Sequence, residues 1–298
     1  MRTVIAVVVS LVVSVPVSLQ GWGLDVHRQI TRRALDNLPP ELRQFFAPHR
    51  EFVAEHSVDP DMWRVVGLRG DRGDEDPNHF LDIDGLDDVR PFRNVPRDWN
   101  VYLQKYGSER ANRMGRLPWR VEEIYGLLVA RFRDVGKGTP AYAADNARYL
   151  TAVLAHYVED AHVPLHAVVN YDGQLTGQRG IHSRFETEAV LRNVRTLKLA
   201  PVTIRPIGNV RDFVFETLVE GEALVATVLD ADRKATTGRE FYDDGYYTAF
   251  TNSARPILER RLSEAASGVA SVIVSAWTEA GKPPLPVRVV RPPARIVR

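Results

Sequence analysis

Apolar positions along the chain recur mostly at three- and four-residue spacing. Val26, Ile30, Ala34, Leu35 and Leu38 fall near a 3.6-residue period, as do Val121, Ile124, Tyr125, Leu128 and Phe132. Tyr149, Val153, His156, Tyr157 and Asp160 continue it along one side of a third run. Within 238–280, Leu258, Leu262, Ala265, Val269, Val272 and Ile273 repeat it, and Pro256 marks a helix start, since proline suits a first turn. Strand-like alternation is scarce. The pattern predicts an all-α chain, a single mainly helical domain with long loops. Two stretches lack a period: 65–80, rich in glycine and aspartate, and 86–118, which mixes proline, asparagine and tryptophan. Long ordered loops in a compact domain are usually functional. No internal repeat and no second domain boundary precede Gly281.

The two ends depart from this pattern. Arg2 followed by the apolar stretch Val4 to Val17, 14 residues long, reads as a secretory signal, too short for a bilayer span of about 20 residues. Cleavage after Gly21 would leave Trp22 first, so residues 1–21 are expected to be a signal peptide and 22–280 the functional domain. The protein is then secreted, extracellular or periplasmic, with no transmembrane segment after cleavage. Residues 281–298 are rich in proline and arginine and read as a flexible tail, either simply solvated or in touch with a polyanion or membrane surface.

Composition narrows the chemistry. Hydrophobic residues at 44% of 298 suffice for a core. The net charge of +1 gives no global basic signal for nucleic acid, and because the cations gather in the tail, the body is acidic overall. With no cysteine there is no disulfide, no thiolate site and no thiol nucleophile, so a metal site must use histidine and carboxylate.

Five of the eight histidines stand in contexts that make sense together. His156 and Asp160 lie four apart, which puts both on one helix face, and His182 and Glu186 repeat the spacing. Between them Pro164 should end the helix and let His166 turn toward the same place. Upstream, His79 follows the glycine-rich loop and Asp61 offers a carboxylate. A lone pair of this kind is usually a surface feature, but His156 to Glu186 spans only 31 residues, on otherwise apolar faces. Buried imidazoles and carboxylates without partners are costly, so a cation is the natural resolution. The donors suit zinc, with manganese or iron as alternatives, and they exceed what one tetrahedral ion uses. Clustered metals are a device for cleaving phosphate esters, so hydrolysis of a phosphodiester is the expected reaction.

The order Trp22, His27, Asp61, His79, His156-x-x-x-Asp160, His166, His182-x-x-x-Glu186 resembles the trinuclear zinc superfamily of bacterial phospholipase C and the single-strand-specific zinc nucleases, over residues 22–280. The resemblance implies three zinc ions: one held by Asp61, His79, His156 and Asp160, a second by His166, His182 and Glu186. The third would take His27, a bridging Asp160 and the α-amino nitrogen and carbonyl oxygen of Trp22, so that export would complete the site. It also implies attack on phosphorus by a zinc-bound hydroxide, with Asp61 orienting the water. Asp59 competes with Asp61 for that role. Asp61 is preferred because Arg64, three residues on, would then contact phosphate, as in the nucleases.

The same resemblance divides on substrate. Arg64, Phe80 stacking on a base and Asp82 bonding its edge suit a nuclease (an endonuclease on single-stranded DNA or RNA). Phe80 has core packing as its competing account. The HSRFE run at 182–186 looks like the phospholipase C version, but Met62 and Asp76 occupy places where aromatics of a choline pocket are expected. The expectation leans to a nuclease, with a phospholipase C cleaving phospholipid headgroups as alternative. A zinc-stabilised protein that binds lipid or nucleic acid without cutting is a third. His49, His56 and His162 match no ligand position and are expected at the surface or behind a ligand, and no protein partner is inferable.

Overall fold

The structure, a computed structural model, describes residues 22–65 and 75–286. The expected signal peptide, most of the glycine-rich loop and the last twelve tail residues lie outside the described residues. The fold is all-α, as the periodicity predicts. Its helices are α1 (Leu24–Asp36), α2 (Pro40–Phe46), α3 (Arg50–His56), α4 (Asp59–Val65), α5 (Trp99–Tyr106), α6 (Ser108–Met114), α7 (Leu117–Lys137), α8 (Ala143–Ala161), α9 (Ile181–Ser183), α10 (Ala189–Asn193), α11 (Val210–Thr236) and α12 (Asp244–Glu279). Among the described residues the strand-like pairing is a single bridge between Leu81 and Gly115.

Helix α8 is the centre. Every residue from Thr151 to Ala161 is buried, because α1, α3, α7, α11 and α12 all pack against it. A helix apolar on all sides belongs inside. One apolar cluster joins α7, α8 and the ends of α11 and α12 through Tyr157, Leu154, Phe132, Phe215 and Val272. A second joins α1, α11, α12 and the 181–190 segment through Ile30, Phe185, Phe250 and Leu258. The polar residues at 156, 159 and 160 sit where the two meet.

Four expectations change. Pro256 does not start a helix but lies inside the 36-residue α12. An interior proline costs roughly 3 kcal/mol. The helix continues because Tyr246 and Phe250, before the proline, are fully buried, with Phe250 edge-on to Phe185 at 6.5 Å, and because Asp243 caps the start by accepting from Tyr246 N. The aperiodic 86–118 stretch holds α5 and α6, helices of eight and seven residues, too short to display a period. His162 is not at the surface. It is 3% exposed, and its Nδ1 donates to Val158 O at 2.7 Å. Its polar sequence neighbours hide the fact that α12 covers it. His49 and His56 are only partly buried.

Residues 281–286, expected to begin a free tail, lie against the body: Trp277 Nε1 donates to Pro283 O at 3.0 Å and Leu285 packs on the larger cluster. Helix α8 ends at Ala161, and Pro164 opens the 3₁₀ turn Pro164–Ala167 that carries His166, as the proline predicts. The end of α8 is held by Arg261 of α12, wholly buried, which donates to His162 O at 2.8 Å, to Thr217 O at 3.0 Å and to Ala161 O at 3.4 Å. Replacing it leaves buried carbonyls without a donor. Arg261→Met is expected to lower the stability of the metal-free protein by roughly 2–4 kcal/mol in urea unfolding.

Candidate metal centre

Six separate segments deliver polar side chains to one buried volume. Helix α8 supplies His156 and Asp160 one turn apart. His79 follows the 3₁₀ turn Asp76–Asn78, and Asp61 comes from α4. His79 Nδ1, His156 Nε2 and Asp160 Oδ2 form a triangle with sides of 2.8, 3.0 and 3.1 Å. Asp61 Oδ1 stands 3.8 Å from His79 Nδ1 and 3.9 Å from His156 Nε2. Asp59 does not join them: it meets His56 Nδ1 at 2.8 Å and the Tyr149 hydroxyl at 3.1 Å.

The second group is equally close. His166 Nε2 lies 3.1 Å from His182 Nε2, and His182 Nε2 lies 2.9 Å from Glu186 Oε2. Helix α9 opens into a π-turn, Arg184–Glu188, so the four-residue spacing still brings His182 and Glu186 together. Asp160 links the two groups. Its Oδ1 is 3.6 Å from His166 Nδ1 and 3.6 Å from His27 Nε2 on α1. Trp22 is buried against Phe185, and its indole donates to Glu159 O on the same α8 turn at 2.9 Å.

The His79 limb is locked by backbone. Leu81 N donates to His166 O at 3.0 Å, Asp82 N to Met114 O at 2.8 Å and Leu117 N to Phe80 O at 3.2 Å. Gly115, at φ +92°, makes this possible, since a Cβ there would stand 2.1 Å from Phe80 O. His156 Nδ1 is turned by Ser57 O at 2.8 Å.

The donors fit a cation. Atoms bound to one tetrahedral zinc lie about 3.3 Å apart, from metal–nitrogen lengths of about 2.0–2.1 Å. His27 Nε2, His166 Nδ1, His182 Nδ1 and Asp160 Oδ1 are buried with no hydrogen-bond partner in the protein. Buried groups able to hold a metal ion comprise His79, His156 and Asp160, then His166, His182 and Glu186, with His27 grouped beside Asp61 and His156. Burial pushes His79 down to about 3 and His166 to about 4, and takes His27 and His182 well below the usual range, so these imidazoles are neutral at pH 7, the form in which imidazole can bind a metal. Burial also opposes charge on Asp160, but His156 and His166 overcome it and hold the carboxylate well below its ordinary value.

A cleft of about 240 Å³ opens over these groups, lined by His79, His166 and His182 together with Arg64, Phe80, Asp82 and Tyr171. Arg64 is aimed by two acids, its Nε 2.6 Å from Asp76 and its Nη1 3.2 Å from Asp61. Phe80 is half-buried at the cleft wall rather than in the core. Asp82 has one buried oxygen without a partner, and burial, reinforced by Asp84, pushes its carboxyl up to about 8. It therefore presents a donor as well as the expected acceptor.

Several further residues meet the site. Glu159 bonds His27 Nδ1 at 2.6 Å, Asp76 braces Arg64, and Tyr171 sets its ring edge-on to His182 at 5.9 Å. Glu75 bonds the Tyr157 hydroxyl and lies 3.6 Å from His79 Nε2. Glu75 stands four residues before His79, a spacing that could have found it, whereas the other three are revealed only by tertiary contact.

No family model matches this chain. It is 28% identical over 214 residues to a probable serine protease of Bradyrhizobium tropiciagri, an alignment covering 57% of this chain and 26% of that protein. The chain thus spans about a quarter of the length of the curated relative it matches. Among the described residues no serine hydroxyl is hydrogen-bonded to a histidine, the contact on which a serine protease depends.

Two outcomes follow. Zinc added to the metal-free protein should bind with His166→Ala losing at least one ion and His49→Ala none, as read by metal content after chelator-buffered dialysis. Asp82 favours the folded state when protonated, so its contribution is full below about pH 4 and is lost as pH rises toward about 8. Asp82→Asn should flatten that decline in urea midpoints measured across the same range.

Proposed function

We propose that this chain is a zinc-dependent phosphodiesterase of the trinuclear type that the resemblance implies, acting on single-stranded DNA or RNA. The observation that carries it is Asp160, one buried carboxylate facing His79 and His156 with one oxygen and His27 and His166 with the other. Shared carboxylates are how closely spaced ions are bridged. The ligands are Asp61, His79, His156 and Asp160 at one position, His166, His182 and Glu186 at a second, and His27, Asp160 and Trp22 at a third. Bound zinc would supply Lewis acidity and an activated water.

The rest of the work falls to the chain. Arg64 lies at the cleft with its guanidinium oriented by Asp61 and Asp76, suited to gripping a phosphate through two nitrogens. Asp61 lies beside it, placed to orient a water or accept its proton. Phe80 and Tyr171 offer ring faces to an unstacked base, and Asp82 offers hydrogen bonds to its edge. A duplex keeps its bases stacked, so this wall favours single strands. The reading includes export, since a free amine at Trp22 exists only after a cut before it.

Phospholipase C is the second reading, and HSRFE at 182–186 favours it. Against it, Met62 and Asp76 stand where the resemblance implies the aromatics of a choline pocket, and Asp76 is engaged by Arg64 at 2.6 Å. Protease chemistry, named for the relative, finds no serine-histidine contact among the described residues.

The test is to assay protein beginning at Trp22, loaded with zinc, against single-stranded DNA, RNA, phosphatidylcholine vesicles and casein, each with and without chelator. Nucleic-acid cleavage that chelation abolishes and zinc restores is expected. Headgroup release without nucleolysis would transfer the site to lipid. Casein cleavage indifferent to chelation would overturn the metal reading, and turnover of none would leave a binding protein.

A further inference from the structure

Glu159 stands beside Asp160 on α8, and every part of it is buried. One carboxylate oxygen meets His27 Nδ1 at 2.6 Å, the other accepts from the Thr31 hydroxyl at 2.7 Å, and its carbonyl accepts from the Trp22 indole at 2.9 Å. Three residues of the first helical segment thus converge on one residue of α8. His27 is clamped between adjacent acids, Nδ1 on Glu159 and Nε2 toward Asp160 Oδ1 at 3.6 Å, with its ring stacked on His156 at 4.2 Å. With Nδ1–H donating to Glu159, the Nε2 lone pair is left facing Asp160, and Nε2 has no other partner.

A buried carboxylate is costly unless something needs it. A ligating histidine does: an acid behind the far ring nitrogen fixes the tautomer, orients the ring and raises its basicity. Thr31, one turn after His27 on α1, holds the acid in turn.

We propose that Glu159 is a positioning residue, which sets His27 as a ligand at the third metal position and joins that position to the Trp22 end of the domain. The inference rests on the metal-centre reading above. Glu159 touches neither substrate nor metal. It acts through His27, so its loss weakens one ion and spares the others.

The experiment titrates zinc into metal-free protein beginning at Trp22, in competition with a chromophoric chelator, and repeats it with cobalt for the visible spectrum. Glu159→Ala should weaken one of the three ions by about 10–100-fold, with the matching band of the cobalt spectrum lost. Glu159→Gln, whose amide oxygen still accepts from Nδ1–H, should recover most of that affinity. Thr31→Val, which keeps the His27 contact, should bind all three within about threefold of the unaltered protein, a smaller effect than loss of the acid itself. Equal zinc affinities in all variants, with only a lowered unfolding midpoint, would make Glu159 a structural pin and overturn the proposal. Equal weakening of every ion would overturn it as well. No zinc uptake by the unaltered protein would remove the metal-centre reading and this inference with it, before any variant is compared. Glu159→Gln is nearly isosteric and keeps the test open if Glu159→Ala fails to fold.

Discussion

Asp160 puts a carboxylate in the buried centre of the fold. It is fully buried at the last turn of α8, with His27, His79, His156 and His166 all within 3.6 Å of its oxygens. Burial drives His27, His79 and His166 neutral, so the four cannot all balance the acid as cations. Only His156 is raised, where Asp160 and Asp61 outweigh burial. Lone pairs then face one another across about three ångströms, and a divalent cation is the species that satisfies them together. The arrangement of the surrounding helices makes sense as the means of holding donors in that geometry.

The means are local and specific. Pro164 ends α8 and turns His166 back; Arg261 ties off the buried carbonyls of that end; Gly115 lets the His79–Asp82 strand-like limb press against the start of α7. Each device fixes backbone rather than side chain, which gives ligands little freedom and makes the centre pre-organised. Charged groups are costly in such a place, and the two apolar clusters that meet around α8 supply the packing that offsets them.

At the rim the side chains change from buried donors that could hold a metal to groups that face the cleft. Arg64 is held between Asp61 and Asp76, which orients its guanidinium there. Phe80, Tyr171 and Asp82 line the same opening with flat and hydrogen-bonding surfaces. The likeness to a probable serine protease covers about a quarter of that protein, so it says less about chemistry than the site itself does.

Much of this was legible in the residues. A 3.6-residue period in 24–36, 117–137 and 143–161 specifies helices because one face must leave water, and absence of cysteine restricts ligands to nitrogen and oxygen. Four-residue spacing puts His156 with Asp160, and His182 with Glu186, on common faces whatever the rest of the chain does. Proline at 256 misled because packing of Tyr246 and Phe250 outweighs a missing hydrogen bond, and α5 and α6 escaped because two turns cannot show a period. Arg64, three residues on, already favoured Asp61 over Asp59, whereas only tertiary structure could bury His162 under α12 or bring Glu159 to His27 across 132 residues of sequence. Spacing reports which side chains share a face of one element. Which faces meet is decided by how the helices bury their apolar surfaces against one another, and that is a property of the whole fold.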